Sequence, residues 1–96
     1  MLIYEVIVTI EPEAFDAFRA YLLDHHMQEV VASGGFDGVA LFVEQDTHTL
    51  VVHYEVSSMA DMERYLSDHA PRMRDNAIER FDGKFTAARR FLHKLS

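Results

Sequence analysis

The chain of 96 residues has no cysteine and no tryptophan, only two prolines and four glycines, and a single base, Arg19, among its first 55 residues. Without cysteine there is no disulfide, no thiolate zinc site and no cysteine nucleophile, and a cytoplasmic location is the default expectation. No apolar run approaches the roughly 20 residues of a spanning helix, so no membrane partner is expected. The opening "MLIYEVIV" lacks a basic leader and is broken by Glu5, so it reads as a strand and not as a signal peptide. A net charge of −7, with no basic-aromatic surface pattern, disfavours nucleic acid and anionic membranes. Familiar catalytic motifs are missing as well. There is no glycine-rich phosphate loop after the first strand, no Gly-x-Ser-x-Gly elbow and no His-Glu-x-x-His helix, and neither a cofactor nor a metal is expected.

What is present is one domain's worth of chain, residues 1–96, with an ordinary 49% of hydrophobic residues. A core this small gains from a second copy. The charge is divided unevenly. Residues 1–55 hold ten acids against one base, whereas residues 56–96 hold six acids against eight bases, so any anion-binding function belongs to the second half.

"LIYEVIVTI" reads as a strand, and "EPEAFDAFRAYLLDHHMQEVVAS" as a long helix with Pro12 in its first turn and Gly34-Gly35 as its stop. "FDGVALFVE" and "THTLVVHYEV" form a hairpin around the polar "QDTH". "SSMADMERYLSDH" is a helix capped by Ser57 or Ser58. Pro71 interrupts it, "PRMRDNAIERF" resumes it, and Asp82-Gly83 turns the chain. "KFTAARRFLHKL" is a last strand whose end could instead be helical. The order is β-α-β-β-α-β, an α+β ferredoxin-like arrangement with an antiparallel sheet. Right-handed crossovers place strands one and three centrally, with strand four, carrying Arg89 and Arg90, at an edge. On strand one, Leu2, Tyr4, Val6, Val8 and Ile10 share the face assigned to the helices. The opposite face, with Ile3, Glu5 and Ile7 beside Val51, His53 and Glu55, is too apolar for water. A partner's sheet covering it makes a homodimeric α/β barrel.

Three segments, "YEVIVTIEPE", "HMQEVVASGGF" and "ERYLSDHAPRMRDNAIERFDGKF", carry a resemblance over nearly the whole chain. The sequence resembles the dimeric α+β barrel superfamily and, within it, a family of short bacterial proteins of unknown function. The last segment is the most specific, through its His69-Ala70-Pro71-Arg72 core and its Arg80-Phe81-x-Gly83 turn. The resemblance implies fold and dimerisation but no activity. The wider superfamily includes cofactor-free monooxygenases, haem-degrading enzymes, lactone isomerases and members without known chemistry, and fold does not choose among them.

The candidate site residues come from periodicity. Adjacent helical residues point about 100° apart, so His25 and His26 are not a chelating pair. Counted from Phe15, Leu22, His26 and Glu29 fall within roughly 40° of it on the sheet-facing stripe, and His25 falls about 80° off. His26 is the candidate general base with Glu29 orienting it; the plainer reading is a core-edge histidine hydrogen-bonded to Glu29. A metal site built on the two lacks complete ligand spacing. His69 ends a face of Met59, Met62, Tyr65 and Leu66; the plain reading is a histidine favoured by the helix dipole. Arg72 and Arg74 sit in the first turn opened by Pro71, where an anion, either an acid of the fold or a ligand, should compensate them. Tyr4 and Tyr54 share the parity of the helix-facing set and could line a pocket with His26, or simply pack there. On the other face, His53 between Glu5 and Glu55 would have its charged form favoured, or would merely fix dimer register.

Two functions remain: a dimer whose helix–sheet cleft binds a small anionic or aromatic molecule through Tyr4, Tyr54, His26, Glu29, His69 and Arg72, and a non-catalytic interaction dimer. A cofactor-free monooxygenase- or isomerase-like enzyme is a further alternative by fold analogy.

Overall fold

The computed structural model describes residues 1–96. Its centre is β1 (Leu2–Ile10), flanked antiparallel by β3 (Thr49–Val56) and β4 (Phe85–His93), with β2 (Phe36–Val43) outside β3. The order β2-β3-β1-β4 is the one right-handed crossovers require for this sequence of elements. The register is regular across the middle: Tyr4 lies opposite Tyr54 and Phe91, Glu5 opposite His53 and Arg90, Val6 opposite Val52 and Arg89. Strand four stays extended as far as His93, so the helical alternative for its end does not arise.

The first helix has three consecutive parts: α1 (Phe15–Tyr21), a π-helical turn (Leu22–His26) and α2 (Met27–Ala32). In the π turn the Met27 N–H reaches back five residues to the Leu22 carbonyl. The insertion leaves a carbonyl to satisfy, and the Gln28 side-chain amide donates to Leu23 O at 3.1 Å. The helix ends where Gly34 and Gly35 take φ of +93° and +85°. A Cβ on Gly35 would also stand 2.7 Å from the Asp61 Cβ, so only glycine lets this corner lie against the next helix.

That helix, α3 (Met59–Asp68), is capped by Ser58, whose hydroxyl accepts the Asp61 N–H at 3.1 Å. The break expected at Pro71 falls two residues earlier, at His69 (φ −123°), because proline fits the first turn of the next helix, α4 (Ala70–Phe81). All helices cover one face of the sheet. Leu50, Val52, Tyr54, Val30, Met62 and Met73 are its most deeply buried large side chains.

The opposite face carries Ile3, Ile7, Val51 and the half-exposed Phe42, and no helix covers it. Glu5 lies at its middle with a side chain 6% exposed. Its carboxylate accepts from His53 Nε2 at 2.6 Å and from Arg90 Nε at 2.5 Å. The cluster is therefore a glutamate between two bases, not His53 between two glutamates. Glu55 lies instead over Gly38, where a Cβ would approach its Oε2 to 2.9 Å. The Arg90 hydrogen bond holds the Glu5 carboxyl below the usual carboxylate range; burial opposes this and His53 adds to it.

Two outcomes follow from this packing. Met62→Ala, at a fully buried position, should cost about 2–5 kcal/mol in urea unfolding, whereas Met59→Ala, at a position 46% exposed, should change stability by about 0.5 kcal/mol or less. Because the Glu5 pKa is depressed in the folded state, its contribution is present above the ordinary glutamate value of about 4.3 and is lost as pH falls through the folded value. Glu5→Gln should flatten that acid limb and lower stability at pH 7 by about 1–2 kcal/mol, a range discounted for the exposure of Arg90. An unchanged acid limb would remove Glu5 as its cause.

Candidate functional site

Between the helices and the sheet lies a cavity of about 340 Å³, lined by 20 residues of which 15 are hydrophobic. A volume in that range suits a small organic molecule, and a lining this apolar favours one with a hydrocarbon or aromatic body. Its floor comes from β1 and β3, where Tyr4 and Tyr54 have ring centroids 5.9 Å apart and nearly parallel planes. Tyr65 of α3 leans on Tyr4 at 6.2 Å, and Phe91 stacks on its other side at 5.6 Å. Burial raises the pKa of the Tyr4, Tyr54 and Tyr65 hydroxyls, so all three are neutral phenols near pH 7.

One wall is the π turn. A regular helix would carry the buried series Phe18, Leu22 onward to His26 and Glu29. The inserted residue carries it to Met27 and Val30 instead, both buried. His26 is displaced to the flank of the stripe, where it is half-buried and lines the cavity. Glu29 rotates out to solvent, so the expectation that it lies beside His26 under the sheet is corrected. The partner of His26 is Tyr21, whose hydroxyl lies 3.3 Å from Nδ1. Burial lowers the His26 pKa, with Arg89 acting in the same direction and the charge of Glu29 against it, so the imidazole is neutral near pH 7. His25 is exposed.

The remaining expected residues divide. Tyr4 and Tyr54 line the cavity with His26, as their parity implies. His69 and Arg72 do not. His69 stacks on Tyr65 at the helix junction, with ring centroids 6.2 Å apart, and Arg72 is exposed. Residues two apart on a helix point about 200° apart, so it is Arg74 that faces the cavity. Arg89 joins it from β4. Arg89, expected at an edge as protection, carries a signal for this place in the sequence: Phe85, Ala87 and Phe91 have its parity, which makes Arg89 the one cation in a helix-facing set. Tyr21 and Tyr65 were likewise missed as lining residues. No cluster of three or more histidine, aspartate or glutamate side chains is placed to hold a metal ion.

A four-stranded antiparallel sheet backed by helices on one face, in this strand order, is the ferredoxin-like fold of several solved proteins. The chain is similar to SnoaB, a cofactor-independent oxygenase from Streptomyces nogalater (13% identity, TM-score 0.73, covering 99% of this chain and 93% of that one). It is similar to Rv0793 from Mycobacterium tuberculosis (23%, 0.72, 100% and 97%). A dimeric ferredoxin-like protein from an uncultured marine organism matches as well (10%, 0.72, 99% and 94%). At these identities the likeness establishes the fold. No curated protein sequence matches significantly. The chain belongs to the DUF4286 family, a domain of unknown function, whose match spans residues 1–95.

A histidine titration by NMR should give His26 a midpoint below the ordinary value of about 6.5. Since its folded pKa is the lower one, stability should be highest above pH 6.5 or so and should decline as pH falls from there toward the folded value. A midpoint at or above 6.5 would mean that the cavity wall around His26 is wet.

Proposed function

We propose that this protein is a homodimer, joined through its open sheet face, whose helix–sheet cavity binds a small aromatic or otherwise largely apolar organic molecule. The observation that carries the binding reading is the cavity itself, about 340 Å³ and bounded by tyrosine rings and aliphatic side chains, with a neutral histidine in its wall. Small rings gain from burial there, and Tyr4, Tyr54 and His26 supply the few polar atoms that orient them. The dimer reading rests on the uncovered face. Only 19 of 96 residues are buried in the single chain, so a second copy laid over Ile3, Ile7, Phe42 and Val51 adds the apolar burial it lacks. A similar fold known as a dimeric protein supports the same reading.

The neutral imidazole favours one enzymatic reading. His26, with Tyr21 against Nδ1, is suited to accept a proton from a hydroxyl or an acidic C–H of a bound ring. The similarity to a cofactor-independent oxygenase is consistent with such a step.

Calorimetric titration with a panel of one- and two-ring aromatic compounds should give saturable binding, and Tyr54→Trp, which fills the cavity, should weaken it about tenfold or more. Absence of binding across the panel overturns the binding reading. Sedimentation at micromolar concentration should give a dimer, and Phe42→Asp should shift it to monomer without disturbing the cavity; a wild-type monomer overturns the dimer reading.

A further inference from the structure

We propose that the cavity's ligand is an aromatic carboxylate, bound with its rings among the tyrosines and its anionic group at the mouth, held by Arg74 and Arg89. This deepens, and rests on, the binding reading above.

Both arginines line the cavity and both are exposed, so their stems flank the opening while their guanidinium groups reach water. Neither forms an ion pair, although Arg19, Arg64, Lys84 and Arg90 each have a carboxylate partner. They come from different elements, α4 and β4, yet their charges converge. Both act on the Tyr4 hydroxyl, opposing the rise that burial causes, and both act with Arg72 on that of Tyr65. One carboxylate, Asp82, also lines the cavity and is paired with neither. The mouth therefore carries two cations against one anion, on a protein whose overall charge is −7. A guanidinium pair facing an aromatic cavity selects a planar carboxylate by charge-assisted, bidentate hydrogen bonding, with the ring behind it desolvated. The neutral tyrosines and His26 place no second anion inside to repel it.

The test uses a matched pair of probes, naphthalene-2-carboxylate and its neutral isostere naphthalene-2-carboxamide, titrated calorimetrically into the full chain at pH 8 and low ionic strength. The carboxylate should bind roughly tenfold tighter or more, and 0.5 M salt should erode that preference because the mouth is solvated. In Arg74→Gln/Arg89→Gln the preference should vanish while carboxamide affinity stays within about twofold. Arg72→Gln, which alters a nearby arginine outside the cavity lining, should reduce the preference far less than the double variant does. Equal binding of the two probes to the wild-type protein overturns the anion inference and leaves the cavity reading standing. Binding of neither probe overturns both. A carboxylate preference that survives in the folded double variant places the anion elsewhere and also overturns the inference. Should the double variant fail to fold, each single arginine variant must show a partial loss of preference, and full retention in both counts against the proposal.

Discussion

The pairing of β1 with β3 is the constraint on which the rest depends. Both strands are central, so each must satisfy two faces, and their register decides which residues meet on each. Tyr4 opposite Tyr54 and Val6 opposite Val52 make the floor of the core; Glu5 opposite His53, one residue along, makes the polar centre of the other face. A slip of β1 by one residue would place the Glu5 carboxylate under the helices and Tyr4 on the open side. The Glu5 cluster therefore contributes specificity as well as stability. It is satisfied only in this register, because His53 and Arg90 come from the strands on either side of β1.

On that floor the helices do not close completely, and the reason is local. The π turn at Leu22–His26 interrupts the face of the first helix just where it crosses the sheet. An uninterrupted helix would set His26 and Glu29 into the core, with a carboxylate to desolvate. The inserted residue lets Met27 and Val30 take those places and leaves His26 at the edge of a space that neither layer fills. The place of the histidine in the cavity wall thus has a local cause. Extra residues of this kind cost helix hydrogen bonding and recur at functional sites, and here the Gln28 amide offsets part of that cost at the Leu23 carbonyl.

Much of the fold was legible because it depends on short-range patterns. Alternation in "LIYEVIVTI" and "TLVVHYEV", the Gly34-Gly35 stop and the proline after His69 each reflect local backbone preference, and the sheet order follows from chain handedness. Tyr4 and Tyr54 were legible as lining residues for the same reason: a period of two has no phase to lose. Glu29 was not, because a period of 3.6 loses phase as soon as one residue is inserted. Nothing in the sequence warns of it, since Leu23 and Met27 stand four residues apart, as a regular stripe allows. Arg72 and Arg74 were equivalent as members of one first turn, and only the angle at which α4 meets the sheet distinguishes them.

The sequence by itself determined the element order, the sheet's two unlike faces and the concentration of cations in the second half. These are consequences of periodicity and charge counting, which need no knowledge of what lies across the core. Tertiary structure decided what those residues meet. It paired His26 with Tyr21 and not with Glu29, and Glu5 with Arg90 from the far end of the chain. It also brought Arg74 and Arg89, from two separate elements, to one cavity. Contacts between distant segments depend on the rotation of helices and the depth at which they pack, and a single inserted residue changes both.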